Sequence, residues 1–213
     1  MVRSWMVVVA VAVAVAVGSG CLATWAPPFP DGERTSALVL LDLQRDFLEE
    51  GGRMRIEASQ VEPLVARVSA LVEEARARGA VVVRVHNVAS PLDVAGNLAR
   101  NHAAVRGTSG AQADPRIPAG EDRTYEKQLP DAFTVPALDA YLRERGVTHV
   151  VIAGLFADQC VTWTTRGALN RRIDVTIVRD GVGAADADAR DDALAELEGE
   201  GVSVVEDDGD VAW

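Results

Sequence analysis

Asp42, Lys127 and Cys160 supply an acid, a cation and a thiol, the parts of a nucleophilic hydrolase, and the pattern around each places it where a strand should end. Asp42 closes the apolar run Ala37-Leu38-Val39-Leu40-Leu41. Lys127 stands just before the turn-like Leu129-Pro130-Asp131. Cys160 follows the run from His149 to Gly154 and is expected to open the next helix. A thiol at a helix N-terminus is drawn toward thiolate by the helix dipole, and a neighbouring ammonium would add to this. A neighbouring carboxylate would oppose ionisation, yet could take the proton. The three groups would titrate as one system.

The elements that must position them alternate. Ala37–Leu41 reads as a parallel strand covered on both faces. Val61, Leu64, Val65, Val68, Leu71, Val72 and Ala75 follow helical spacing, with Ser59 and Glu62 as a capping box and Gly79 as a stop. A second strand covers residues 80–85 and ends at His86-Asn87. Residues 88–122 have no sustained period and read as loops with a short helix near 92–105, a connection long enough to form a lid. Next come a helix at 135–145, a strand at 148–153, a helix at 160–170 and a strand at 173–178. Asp180-Gly181 reads as a turn, and a helix at 186–198 and a strand at 202–205 follow. The expected fold is α/β and doubly wound (Rossmann-like): three αβα layers around a parallel sheet of about six strands, with ligands beyond the strands' carboxyl ends.

The 213 residues suit one such domain. The formal net charge of -11, with no basic run, excludes nucleic acid as an expected partner and predicts weak attraction to anionic lipid. Residues 1–20 differ from the rest: Arg3 is their only charge, and Trp5 to Val17 is apolar, short of the roughly 20 residues that span a bilayer. Gly18-Ser19-Gly20 and then Cys21 resemble a bacterial lipoprotein signal, although Gly18 stands where Leu or Val is usual. The expected organisation is a signal over 1–20, Cys21 as the lipidated first mature residue, a Pro-rich linker over 22–34, a hydrolase domain over 35–207 and an acidic tail over 208–213. The protein would be exported to the cell envelope and touch the membrane only through its lipid. Ordinary secretion, an uncleaved short anchor and a Cys21–Cys160 disulfide are the competing readings.

Asp42-Leu43-Gln44-Arg45-Asp46-Phe47 resembles the D-x-Q-x-x-F opening of the isochorismatase-like cysteine hydrolases. Glu126-Lys127 with Asp131-Ala132-Phe133 is similar to that family's lysine segment. Gly154 to Val161 resembles its nucleophile segment, with Thr164 and Ala168 in the helix that follows. The ordered set is specific where each motif alone is weak. The resemblance implies that Cys160 attacks a carbonyl carbon, that Asp42 shuttles the proton, and that Lys127 stabilises the thiolate and orients Asp42. It further implies an oxyanion hole from the backbone N–H groups of Phe156 and Cys160, shaped by a cis Leu155–Phe156 bond. The implied reaction is hydrolysis of the C–N amide bond of a small molecule through a thioester, with no cofactor. An isochorismatase-type ether hydrolase and a catalytically silent, ligand-binding lipoprotein are the alternatives.

Two departures stand out: Ala157 where many members have Thr, and Gly167 in place of a common Asp. The Asp-x-His metal cluster of the nicotinamidase branch has no counterpart in Val85-His86-Asn87-Val88, so no metal site is expected. Gln44, Phe47, His86, Phe133, Phe156 and Trp163 are candidates for the substrate pocket, with hydrogen-bonded or core roles as the simpler reading for His86 and the aromatics. The family often forms homo-oligomers, but no apolar stripe marks an interface.

Overall fold

The computed structural model describes residues 27–29, 31–206, 209 and 211–213. The proposed signal and lipidation site, residues 1–21, lie outside them. The strands are β1 (Ser36–Leu41), β2 (Val81–Asn87), β3 (Arg123–Lys127), β4 (His149–Leu155), β5 (Asp174–Gly183) and β6 (Ser203–Val205). They form one sheet in the order β3-β2-β1-β4-β5-β6, and every neighbouring pair is parallel. The order reverses between β1 and β4, which leaves a crevice at their carboxyl ends.

The helices are α1 (Arg45–Leu48), α2 (Ala58–Ala77), α3 (Val94–Ala99), α4 (Pro136–Glu144), α5 (Thr162–Leu169) and α6 (Ala187–Gly199). Side chains alternate along a strand, so β1 feeds two cores. Ala37, Val39 and Leu41 pack with α4, α5 and α6, while Leu38 and Leu40 pack with α1 and α2. The continuous apolar run in β1 is thereby explained: both faces are covered.

Several local expectations need correction. Ser59 and Glu62 form no capping box. The helix begins one residue before Ser59 with Glu57 as its N-cap, the Ser59 hydroxyl donates to Glu57, and Glu62 pairs with Arg116. Gly79 does follow the helix end, at φ 72°. Asp180-Gly181 belongs to the long strand β5, whose register against β4 shifts beyond Ile152. The Pro-rich stretch is not a free linker throughout. Phe29 is buried, its N–H donates to the Arg171 carbonyl, and the Arg143 guanidinium lies over its ring. Nor is the acidic tail wholly detached, because Val211 is buried and Arg34 donates to the Ala212 carbonyl.

His149 links three strands at the opposite end of the sheet from the crevice. Its Nδ1 lies 2.9 Å from Ser36 Oγ and its Nε2 2.9 Å from Thr176 Oγ1. Burial, assisted by the charge of Arg34, pushes its pKa down to about 4. The folded state therefore keeps this ring neutral where an unfolded chain, near pKa 6.5, takes up a proton. Stability from this group is complete above pH 6.5 and falls as pH drops toward 4, by on the order of 2–3 kcal/mol. Urea denaturation at pH 4.5 and pH 7.5 is expected to show this loss in the native chain and a smaller one in His149→Gln.

Candidate active site

β1 ends at Leu41, and Asp42 turns off the strand with φ 58°, a left-handed conformation that Asp tolerates better than most residues. Its N–H still donates to the Val85 carbonyl, which fixes the carboxylate beside the end of β2. Two strands away, β3 ends at Lys127, paired in register with Asn87. On the other side of β1, β4 runs into Phe156 and a π-helical turn, Ala157–Val161, that carries Cys160. Cys160 thus lies within this turn rather than at the first position of a regular helix, and α5 follows it.

Close approach of β1 and β4 depends on Gly154. At φ 129° a Cβ there would stand 2.0 Å from the Leu41 carbonyl oxygen. The next peptide bond, Leu155–Phe156, is cis, as the resemblance implies. Gly167, the other departure, has a local reason. A Cβ on it would come 2.5 Å from Asp131 Oδ1, so the Asp131 carboxylate fills the space that a larger residue would need.

These elements bring the three expected residues together. Lys127 Nζ donates to Asp42 Oδ2 at 2.8 Å and to Cys160 Sγ at 2.9 Å. All three side chains are buried. Asp42 Oδ1 has no hydrogen-bond partner among the described residues. Burial alone would favour a neutral lysine, but the charge of Asp42 and the nearby sulfur outweigh it and hold the ammonium above its ordinary value. The thiol moves the opposite way from a helix-activated cysteine. Burial and the Asp42 carboxylate push its pKa up to about 12, against the smaller opposing pull of Lys127. The resting cluster is therefore an ion pair beside a protonated thiol.

Cys160 and Asp42 open onto a cavity of about 430 Å³, a size suited to a small molecule. Phe47 and Phe156 form part of its wall and meet edge to face at 5.5 Å. The remaining pocket candidates lie elsewhere. His86 lines a separate cleft with Arg106 and Glu126, and burial lowers its pKa. Phe133 is a core residue beneath the Arg171 guanidinium. Trp163, on α5, is half-buried outside the cavity lining. Gln44 is buried and spends its amide on the scaffold: it accepts from the Asn87 N–H and donates to the carbonyls of Asn87 and Ala111. Gln44→Leu would strand three backbone groups and is expected to cost roughly 2–4 kcal/mol by chemical denaturation.

Sequence reasoning missed Met54, Asn87, Arg100, Gln128 and Gln159 on the cavity wall. Gln128 and Gln159 adjoin Lys127 and Cys160 in the chain, and that adjacency was a usable signal. Arg100 had none, because it sits in the unpatterned stretch.

A model of the isochorismatase domain matches residues 36–208. A protein of Arabidopsis thaliana named a probable inactive nicotinamidase is 32% identical over 166 residues, covering 71% of this chain and 82% of that protein. The ureidoacrylate amidohydrolase of an Enterobacter species is 26% identical over 155 residues, covering 62% and 67%. Among solved structures, N-carbamoylsarcosine amidase from Thermoplasma acidophilum superposes with a TM-score of 0.70 at 27% identity, covering 82% of this chain and 97% of that one. The sheet order, the strand-end cluster and the domain match agree, and the chain belongs to the isochorismatase family of hydrolases.

Proposed function

We propose that this protein hydrolyses the C–N amide bond of a small molecule, with Cys160 as nucleophile, Asp42 as proton shuttle and Lys127 as the cation that holds both. The observation that carries the reading is Lys127 Nζ bridging Asp42 Oδ2 and Cys160 Sγ at the floor of a cavity. Relatives named as amidohydrolase and amidase favour the same bond type.

Because the resting thiol is protonated, deprotonation must accompany attack. Asp42 Oδ1, buried and without a hydrogen-bond partner among the described residues, is the acceptor at hand. As the S–H bond breaks toward Asp42, Sγ bonds to the carbonyl carbon, and the carbonyl oxygen gathers negative charge. The N–H groups of Phe156 and Cys160 would receive that charge. Asp42 returns the proton to the leaving nitrogen as the C–N bond breaks, which leaves a thioester. Water, deprotonated by Asp42, then attacks the thioester, and the thiol departs with the proton. Lys127 keeps its charge throughout and offsets the carboxylate when it is ionised.

The test is ammonia release from a panel of small primary amides, with acid-quenched samples examined by mass spectrometry. An acyl adduct on the peptide bearing Cys160 is expected under rapid quench. Turnover without an adduct, and undiminished in Cys160→Ala, would remove the thioester route.

A second reading, a silent ligand-binding protein, takes its support from the relative named inactive. Binding of amides with no ammonia release would favour it. Export and lipid attachment at Cys21 belong to the same proposal, and the intact mass of the N-terminal peptide from a bacterial membrane fraction tests them.

A further inference from the structure

Of the described residues lining the cavity, only Asp42 and Arg100 carry charge. Asp42 is matched by Lys127. Arg100 is not matched. Its Nε donates to the Gly96 carbonyl at 3.2 Å and its Nη1 to Asn87 Oδ1 at 3.2 Å, and among the described residues no carboxylate lies within ion-pairing distance. Arg143 and Arg171, by contrast, share Asp139, while Arg76 and Arg84 share Asp122. A guanidinium lining a cavity, whose Nη1 has one acceptor and whose Nη2 has none among the described residues, is a site for a planar anion.

The surroundings hold it in place. Asn87, which orients Nη1, has its own backbone gripped by Gln44 on both the N–H and the carbonyl. Directly after Arg100, Asn101, His102 and Ala104 all have positive φ, at 51°, 57° and 51°. Three such residues within four positions are costly and persist only where neighbours enforce them. Here the Ala104 N–H donates to the buried Asp46 carboxylate at 2.8 Å, the Asn101 amide donates to the Arg53 carbonyl, and the His102 N–H donates to the Asn97 carbonyl. The rest of the wall is neutral or apolar: Phe47, Met54, Ala103, Pro130 and Phe156.

We infer that Arg100, positioned by Asn87, binds a carboxylate of the substrate, so that the preferred substrates are small amides bearing a carboxylate away from the scissile bond. This rests on the amidase reading for the word amide, though not for the anion site itself. The chain's overall negative charge does not forbid it, because distant surface charges are screened beyond about 8 Å at physiological salt.

The experiment has two arms on the full chain and on Arg100→Gln and Arg100→Lys. In the first, hydrolysis of succinamate is compared with that of butanamide, its neutral counterpart. The native protein is expected to favour succinamate. Arg100→Gln is expected to lower kcat/KM for succinamate about 30-fold, chiefly through KM, and to leave butanamide within a factor of about 3. Arg100→Lys should fall between, because it keeps the charge but loses the fork. In the second arm, binding of succinate, glutarate and fumarate is measured by calorimetry, with no chemistry required. Carboxylate binding that weakens in Arg100→Gln, together with no hydrolysis of any amide, would uphold the anion site and overturn the amidase reading. Equal handling of succinamate and butanamide, or no Arg100-dependent binding of any of the three acids at millimolar concentration, would overturn the anion site.

Discussion

Cys160→Ala is expected to lower amide hydrolysis by about 10⁴-fold or more while leaving the fold intact. The substitution removes one sulfur from a small buried volume, and no other described cysteine can replace it. Cys160→Ser should be nearly as damaging, because the hydroxyl is a poorer nucleophile and the site already disfavours an anion at this position. The same electrostatics make a second readout. Alkylation of the resting protein is expected to be slow at neutral pH and to keep rising above about pH 10, where an unperturbed thiol has levelled off. Asp42→Asn removes the negative charge that holds the proton on sulfur, so it should make the thiol easier to alkylate while abolishing turnover. A substitution that speeds alkylation and stops catalysis would separate thiol acidity from proton shuttling. A reactive thiolate at pH 7 in the native chain would contradict the arrangement described here.

Lys127→Ala is expected to cost both activity and stability. Lys127 is among the largest fully buried side chains, and its ammonium is the charged partner of a carboxylate that is itself buried. Removing one member of such a pair strands the other, a loss of about 3–5 kcal/mol. A typical domain has only about 5–15 kcal/mol to lose, so the midpoint of chemical denaturation should shift clearly. Adding Asp42→Asn to the same chain removes the stranded charge and should recover much of the stability, with no return of activity. Lys127→Met, which refills the volume, should sit closer to native stability in that double variant. Since Asp42 holds the ammonium above its ordinary pKa, the lysine's share of this stability is fully present below about pH 10 and is lost as pH rises through the folded-state value. A fully stable Lys127→Ala would mean that the buried pair adds nothing net to stability.

The alternation of apolar strands with periodic helices was enough to place Asp42 and Cys160 each at a strand end, because parallel strands buried on both faces leave an unmistakable run of Val, Leu and Ile; that the two strands are neighbours came only with the sheet order. β3 was harder. Arg123-Thr124-Tyr125-Glu126 is an exposed edge strand, and its composition carries no apolar run to announce it. Gln44 was misread because a glutamine beside a catalytic-looking Asp suggests substrate contact. Its three hydrogen bonds depend on which carbonyls arrive from residues far away in the chain. Arg100 was invisible for a related reason. A cation becomes meaningful only when folding decides which acids it can reach, and nothing in residues 88–122 encodes that locally. Asp46 shows the same limit: its carboxylate receives the Ala104 N–H across 58 residues of chain.

The docking of Pro27–Phe29 against Arg143 and Arg171 sets an orientation for the whole molecule. Those partners lie where β4 and β5 begin, and the residues around Trp213 also return to that end through Arg34. Cys160 lies where β4 finishes, about 20 Å away along the strand. Entry point and aperture are therefore at opposite poles. A probe attached through the residues before Pro27 would meet the described domain at the pole opposite the cavity mouth.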